Sequence, residues 1–195
     1  MNITSVLIRI VCATVLVSSA ASAATFEGVR FDDSVRVANH ELRLNGVGIR
    51  AVFIIRGYVA GLYLPGRART IQEVMALPGP KRIQLRMLRD AKSADFTKAL
   101  VSGIKKNASA GELDALRERV VQFESAIEAI GTTAKGDTIN LDFEPQHGLT
   151  LSVNGVMKGS AIAGADFFGA VLGIFVGDRP IDARLKKGLL GQQTG

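Results

Sequence analysis

The run from Arg50 to Leu64 constrains the fold of this chain most, because it is apolar at nearly every position and charged only at Arg50 and Arg56. A strand with one wet face alternates apolar and polar residues, whereas a run apolar on both faces belongs to strands covered on both sides. The run therefore predicts a central strand pair in a sheet that is packed above and below. Glu41 to Leu44 and Lys81 to Leu88 alternate instead. In the second, Ile83, Leu85 and Met87 face one way and Arg82, Gln84 and Arg86 the other.

Helical spacing follows. Ser93 is placed to cap a helix with Phe96, Ala99, Leu100 and Ile104 on one face. Ser109 and Glu112 have capping-box spacing and open a second helix with Leu113, Leu116, Val120, Ile127 and Ile130 inward. Thr138 to Phe143 and Leu149 to Val153 alternate again, before an Asn154-Gly155 turn. Two C-terminal helices are expected, at 166–176 and 181–190, parted by Gly177 and Pro180. Strands, helices, strands and helices in that order predict an α+β fold, a large antiparallel sheet with helices packed on one face. No repeat, low-complexity block or linker divides residues 24–195, so one domain is expected there.

Residues 1–23 read as an export signal. Arg9 is the one charge, Ile10 to Val17 is apolar, and small residues lead to an Ala-Ser-Ala site at Ala23. That run is shorter than the roughly 20 apolar residues a membrane span needs, and no later segment reaches that length. The expectation is an exported, soluble protein. The lone cysteine, Cys12, falls inside the signal, so no disulfide or cysteine-held metal is expected beyond it.

The formal net charge of +6, one unit of which is Arg9, favours anionic ligands. Nucleic acid is a poor fit, since the basic residues are dispersed and the chain has no tryptophan and two tyrosines. His40 and His147 lie in unrelated segments, and Asp137, Asp142 and Glu144 lack calcium-loop spacing. Asp142 and Glu144 read most simply as a solvated strand face. Gly46-Val47-Gly48 lacks the third glycine of a nucleotide-binding turn and reads as a strand connection. No metal, cofactor or catalytic residue is assigned.

Three stretches carry a resemblance. Leu44-Asn45-Gly46-Val47-Gly48-Ile49-Arg50 precedes Tyr58-Val59-Ala60-Gly61-Leu62-Tyr63-Leu64. Val153-Asn154-Gly155 precedes Asp166-Phe167-Phe168, and Phe175 to Asp182 leads into Leu185 to Gly191. In order and spacing these resemble the bacterial chalcone isomerase-like family. The resemblance implies an open-faced sandwich with a ligand cleft between sheet and helices, and a periplasmic location after export. Enzymes of the family close a ring within an unsaturated phenolic ketone, using a strand arginine with threonine, tyrosine, asparagine and a serine or threonine. A non-catalytic branch grips a fatty-acid carboxylate with an arginine and a tyrosine. The arginine corresponds to Arg50, and the threonine position falls near Tyr58. The tyrosine, asparagine and serine or threonine positions fall at Phe96, Gly103 and Gly169, none of which has a polar side chain.

Arg50 on a half-buried strand needs an anion, whether a ligand or an internal acidic side chain or carbonyl. If Arg56-Gly57 forms a two-residue hairpin turn, Arg50 faces Tyr63 on one face of the sheet. Guanidinium and phenol could then hold a carboxylate together. Tyr58 has the opposite strand parity, so a regular strand aims only one of the two rings into the pocket. Phe96, Leu100 and Phe168 would line the apolar part, or else be plain core.

The expected ligand-binding set is thus Arg50, Tyr63, Tyr58, Phe96, Leu100 and Phe168, and the expected partner is a small amphipathic acid. The leading expectation is an exported carrier of such a carboxylate. The alternatives are an isomerase (intramolecular lyase) on a chalcone-like substrate, and a structural or partner-binding module with Arg50 satisfied internally.

Overall fold

The computed structural model describes residues 23–192. Cys12 and the expected export signal, apart from its last residue, lie outside them.

The chain runs β1 (Ala23–Phe26), β2 (Val29–Asp32), β3 (Ser34–Val37), β4 (His40–Val52), β5 (Ile55–Leu64), α1 (Ile71–Ala76), β6 (Lys81–Met87) and β7 (Ala91–Lys92). It continues with α2 (Ser93–Asn107), α3 (Ala110–Glu128), β8 (Thr132–Thr133), β9 (Thr138–Glu144), β10 (Gly148–Val153), β11 (Val156–Ile162), α4 (Ala165–Val176) and α5 (Ala183–Leu189). A seven-stranded sheet has the order β11-β10-β9-β6-β5-β4-β3, and every neighbouring pair is antiparallel. The α+β class predicted from the element order is the class observed.

Strand β5, next to the middle strand β6, is covered on both sides, as its composition requires, whereas its expected partner in a central pair, β4, lies second from the edge and is only partly buried. Tyr58, Ala60, Leu62 and Leu64 of β5 face the helices, in a core with Ile83, Leu85, Ile139, Leu141, Phe167 and Phe175. Val59 and Tyr63 face the other way and pack with Phe31, Val37 and Leu42 under the β1–β2 hairpin. Gly61 lets that hairpin lie flat, because a Cβ there would come within 2.8 Å of the Phe31 ring.

On the same outer face, the polar residues of β6 each find a partner on β9. Arg82 donates to both Asp142 oxygens at 2.6 Å, Gln84 to Asn140 at 3.0 Å, and Arg86 to Thr138 at 2.6 Å. Asp142 is therefore a half-buried ion-pair partner and not part of a solvated face.

Local signals at the helix ends mostly hold. Ser109 and Glu112 form the reciprocal capping box, with Ser109 N donating to Glu112 Oε2 at 2.7 Å. Ser93, in contrast, is the first residue of α2; its amide donates to Gly131 O at 2.8 Å, and Lys92 holds the cap position without a side-chain bond. Asn154 (φ 50°) and Gly155 (φ 81°) make the β10–β11 turn.

The β4–β5 hairpin departs from expectation in register. Its turn is Phe53-Ile54, flanked by the pair Val52 and Ile55. Gly57 lies in β5 as the extra residue of a bulge, since Arg50 pairs with Tyr58 and Ala51 with Arg56. A second bulge at Asn45, on β4, shifts the register in the opposite sense. The glycines at 46 and 48 thus lie within β4 and do not form a strand connection. They admit α5 edge-on: a Cβ on Gly48 would come within 2.6 Å of Leu185 O, and one on Gly46 would strike Gly188 O. Asn45 locks this arrangement by donating to Ala68 O at 2.9 Å and Leu189 O at 2.8 Å.

Candidate functional site

Arg50 and Tyr58 are directly opposed across β4 and β5, and Met87 of β6 continues the row. All three line a cleft of about 320 Å³ beside the hairpin, with Phe96 and Ala99 of α2 and the charged residues Arg89, Asp90 and Asp95 also in its wall. Behind it lies an apolar slot of about 40 Å³, walled by Leu85, Leu100, Ile127, Ile139, Leu141 and Phe175. Tyr58, Phe96, Ala99 and Ile181 border both spaces, so the two adjoin across these side chains, and cleft and slot are together called the channel. The cleft has charged residues in its wall, and the slot is walled by hydrocarbon apart from Tyr58.

Arg50 is half-buried, with 24% of its side chain exposed. Both internal partners foreseen for it exist. Its Nη1 donates to Ala51 O at 3.0 Å and lies 3.6 Å from Asp182 Oδ2. Asp182 caps α5, accepting from Arg184 N at 2.8 Å and Leu185 N at 3.3 Å, and its other oxygen accepts from Ala51 N at 3.3 Å. Burial pushes the Asp182 carboxyl up, but these amides and the nearby Arg184 charge outweigh it and hold the group below the ordinary carboxylate range. Asp182 is thus kept ionised mainly by backbone amides, and its contact with Arg50 is a charge attraction without a hydrogen bond.

The Tyr58 ring is buried, and its hydroxyl has no hydrogen-bond partner among the described residues. Burial raises its pKa far above the usual phenol value; the Arg50 charge opposes the rise and Asp182 adds to it. At any physiological pH it remains a neutral donor.

Tyr63 is not the partner of Arg50. The turn at Phe53-Ile54 sets Tyr63 opposite Leu44 instead, on the outer face of the sheet. Its hydroxyl is already used, donating to Asp32 O at 3.0 Å. Phe168 is also absent from the channel. It stacks on Phe143 at 4.5 Å between centroids. Phe143 pairs with Lys81 at the start of β6, whereas the cleft sits at Met87, roughly 20 Å along the strand. Phe175, two helical turns later on α4, reaches the slot in its place. Ile54, four residues beyond Arg50, lies in the turn and is 95% exposed. Phe96 and Leu100 line the channel as their spacing suggested.

Of the positions where the family's enzymes carry orienting polar groups, Gly103 and Gly169 lie outside the channel. Gly103 meets Ile174 at the α2–α4 crossing, and Gly169 meets Met75. Asp182 is the residue that sequence reasoning missed. Its helix-capping role is legible from an aspartate just before the 183–189 helix, but its approach to a strand 131 residues away is not.

The fold and this cleft define the class: the chain belongs to the chalcone isomerase-like family, whose sequence model matches residues 23–191. Among solved structures it is similar to a fatty-acid-binding protein of Arabidopsis thaliana, with 18% identity, a TM-score of 0.68, and coverage of 87% of this chain and 96% of that one. No curated protein sequence matches it. Among the described residues, no cluster of His, Cys, Asp or Glu could hold a metal ion, and no helix is long and apolar enough to cross a membrane.

Proposed function

We propose that this protein is an exported, periplasmic carrier of a small amphipathic carboxylate such as a fatty acid, with no catalytic role. The observation that carries the reading is that Arg50 and Tyr58, directly opposed across β4 and β5, line one cleft beside an apolar slot, and the Tyr58 hydroxyl has no hydrogen-bond partner among the described residues. A carboxylate there accepts a charge-assisted bond from the guanidinium and a second from the phenol, while its tail points inward. The slot of about 40 Å³ is far below the roughly 300 Å³ at which ligand pockets begin, so a long tail enters only when Phe96 and Leu100 of α2 move aside. The fatty-acid-binding neighbour supports the ligand class through its fold alone.

Ring closure fits less well. The cleft offers Phe96 where the family's enzymes carry a tyrosine, and Tyr58 is held protonated and cannot serve as a base.

Native mass spectrometry of residues 24–195, purified without detergent and then incubated with fatty acids, tests the reading. An adduct of acyl-carboxylate mass, absent from a folded Arg50→Ala variant, supports it. A wild-type protein that stays bare sinks it.

A further inference from the structure

Space is shared unevenly along the channel. The cleft, at about 320 Å³, reaches the roughly 300 Å³ at which ligand pockets begin, and the slot, at about 40 Å³, does not. A ligand that binds without moving α2 therefore lies in the cleft, and its apolar part is compact.

A ring and a folded chain are both compact, and the wall favours the ring. Tyr58 and Phe96 border both spaces, so two aromatic side chains stand between cleft and slot. The buried Met87 thioether pairs with Tyr58 from the neighbouring strand and lines the cleft with it. The ring pairs of the core are Phe123 with Phe167 and Phe143 with Phe168, and among the described residues neither Tyr58 nor Phe96 has an aromatic neighbour. A ligand ring gains stacked or edge contacts with such side chains, and with a thioether, beyond the area it buries. A flexible chain of the same size gains none of these and loses more freedom on being held.

The charges limit the head of the ligand. Arg50 and Arg89 share the cleft wall with Asp90 and Asp95, and Asp182 lies 3.6 Å from Arg50. Positive charge is not in surplus, so one carboxylate finds a local grip at Arg50 and Tyr58 and a second finds none.

We propose that the cleft selects a compact aryl monocarboxylate, with its ring against Tyr58 and Phe96 and its carboxylate at Arg50. This rests on the carboxylate reading and narrows its ligand class.

Calorimetry of residues 24–195 with 3-phenylpropanoate and with nonanoate tests it, because the two acids have equal carbon number and equal charge. Nonanoate is the more hydrophobic, so unspecific apolar binding ranks it first. The expected result is the reverse, with 3-phenylpropanoate bound about tenfold more tightly. Equal affinities, or tighter binding of nonanoate, overturn the proposal and leave the carboxylate reading standing. Failure of both acids to bind overturns both. Phe96→Leu, checked for an unchanged melting profile, keeps an apolar side chain without a ring and is expected to bring the two affinities within about threefold of each other. A ratio unchanged from the wild type overturns the place given to the ring. 3-(4-Carboxyphenyl)propanoate, with a second carboxylate on the ring, is expected to bind about tenfold more weakly than 3-phenylpropanoate, and equal binding overturns the single-charge assignment.

Discussion

Asp182 Oδ2 stands 3.6 Å from Arg50 Nη1, close enough for attraction between the charges and too far for a hydrogen bond. The aspartate competes for the guanidinium with any incoming carboxylate. Asp182→Asn keeps an oxygen to cap α5, since asparagine caps about as well as aspartate, and removes the competing charge. Affinity for a fatty acid, measured by calorimetry, is expected to rise about fivefold. A fall would mean that Asp182 positions the arginine and does not compete for it.

The same residue sets a pH dependence. The Asp182 pKa is lowered in the fold, against about 3.9 in an unfolded chain. Its contribution to stability is complete above that unfolded value and is lost as the pH falls through the folded value. Urea midpoints of the wild type and Asp182→Asn are expected to differ most near neutrality and to converge in acid. A constant gap down to the lowest pH at which both fold would contradict this.

The two tyrosines are expected to separate binding from stability. The Tyr58 hydroxyl is unpartnered, so Tyr58→Phe leaves the melting temperature unchanged and weakens carboxylate binding by roughly tenfold. Tyr63→Phe breaks a bond to Asp32 O on the opposite face, costing about 1 kcal/mol of stability with no effect on binding.

Gly48→Ala tests how the strand and α5 fit together. Its Cβ would meet Leu185 O at 2.6 Å, a backbone atom that yields only if the helix shifts. A loss of about 1–3 kcal/mol is expected in denaturant titrations. The shift would also carry Asp182 away from Arg50.

Phe96→Ala opens the slot from the α2 side. Long acyl chains are expected to gain affinity relative to short ones in the same calorimetric series, because the rigid ring no longer has to be displaced. An unchanged ranking by chain length would place the tail elsewhere.

Much of the fold was legible because its signals are local. The two-faced apolar run of β5, the capping box at Ser109 and the turn at Asn154 each depend on neighbours a few residues away. Helix α1 had a signal too, a Thr70 hydroxyl accepting from Glu73 N at 3.1 Å, but six residues are too short to show a helical period. The site was harder to read, because side chains alternate along a strand and register decides which of them meet. A turn at Arg56-Gly57 would set Tyr63 opposite Arg50; Gly57 belongs instead to a bulge, and Tyr58 takes that place. Glycine marks both features, and local sequence does not distinguish them.

The clasp at Asn45 also orders assembly in time. Its amide grips Leu189, 144 residues downstream, and the cleft borrows Asp182 from the same late segment. Closing a loop that long is slow, and it cannot begin until nearly the whole chain is present. A chain made from its N-terminus presents β4 and β5 first and waits for α5 to complete the cleft. Until then the edge at Gly46 and Gly48 stays uncovered and Arg50 lacks its counter-charge. The cleft is thus the last part of the molecule to form, and it is complete only once the whole chain is present.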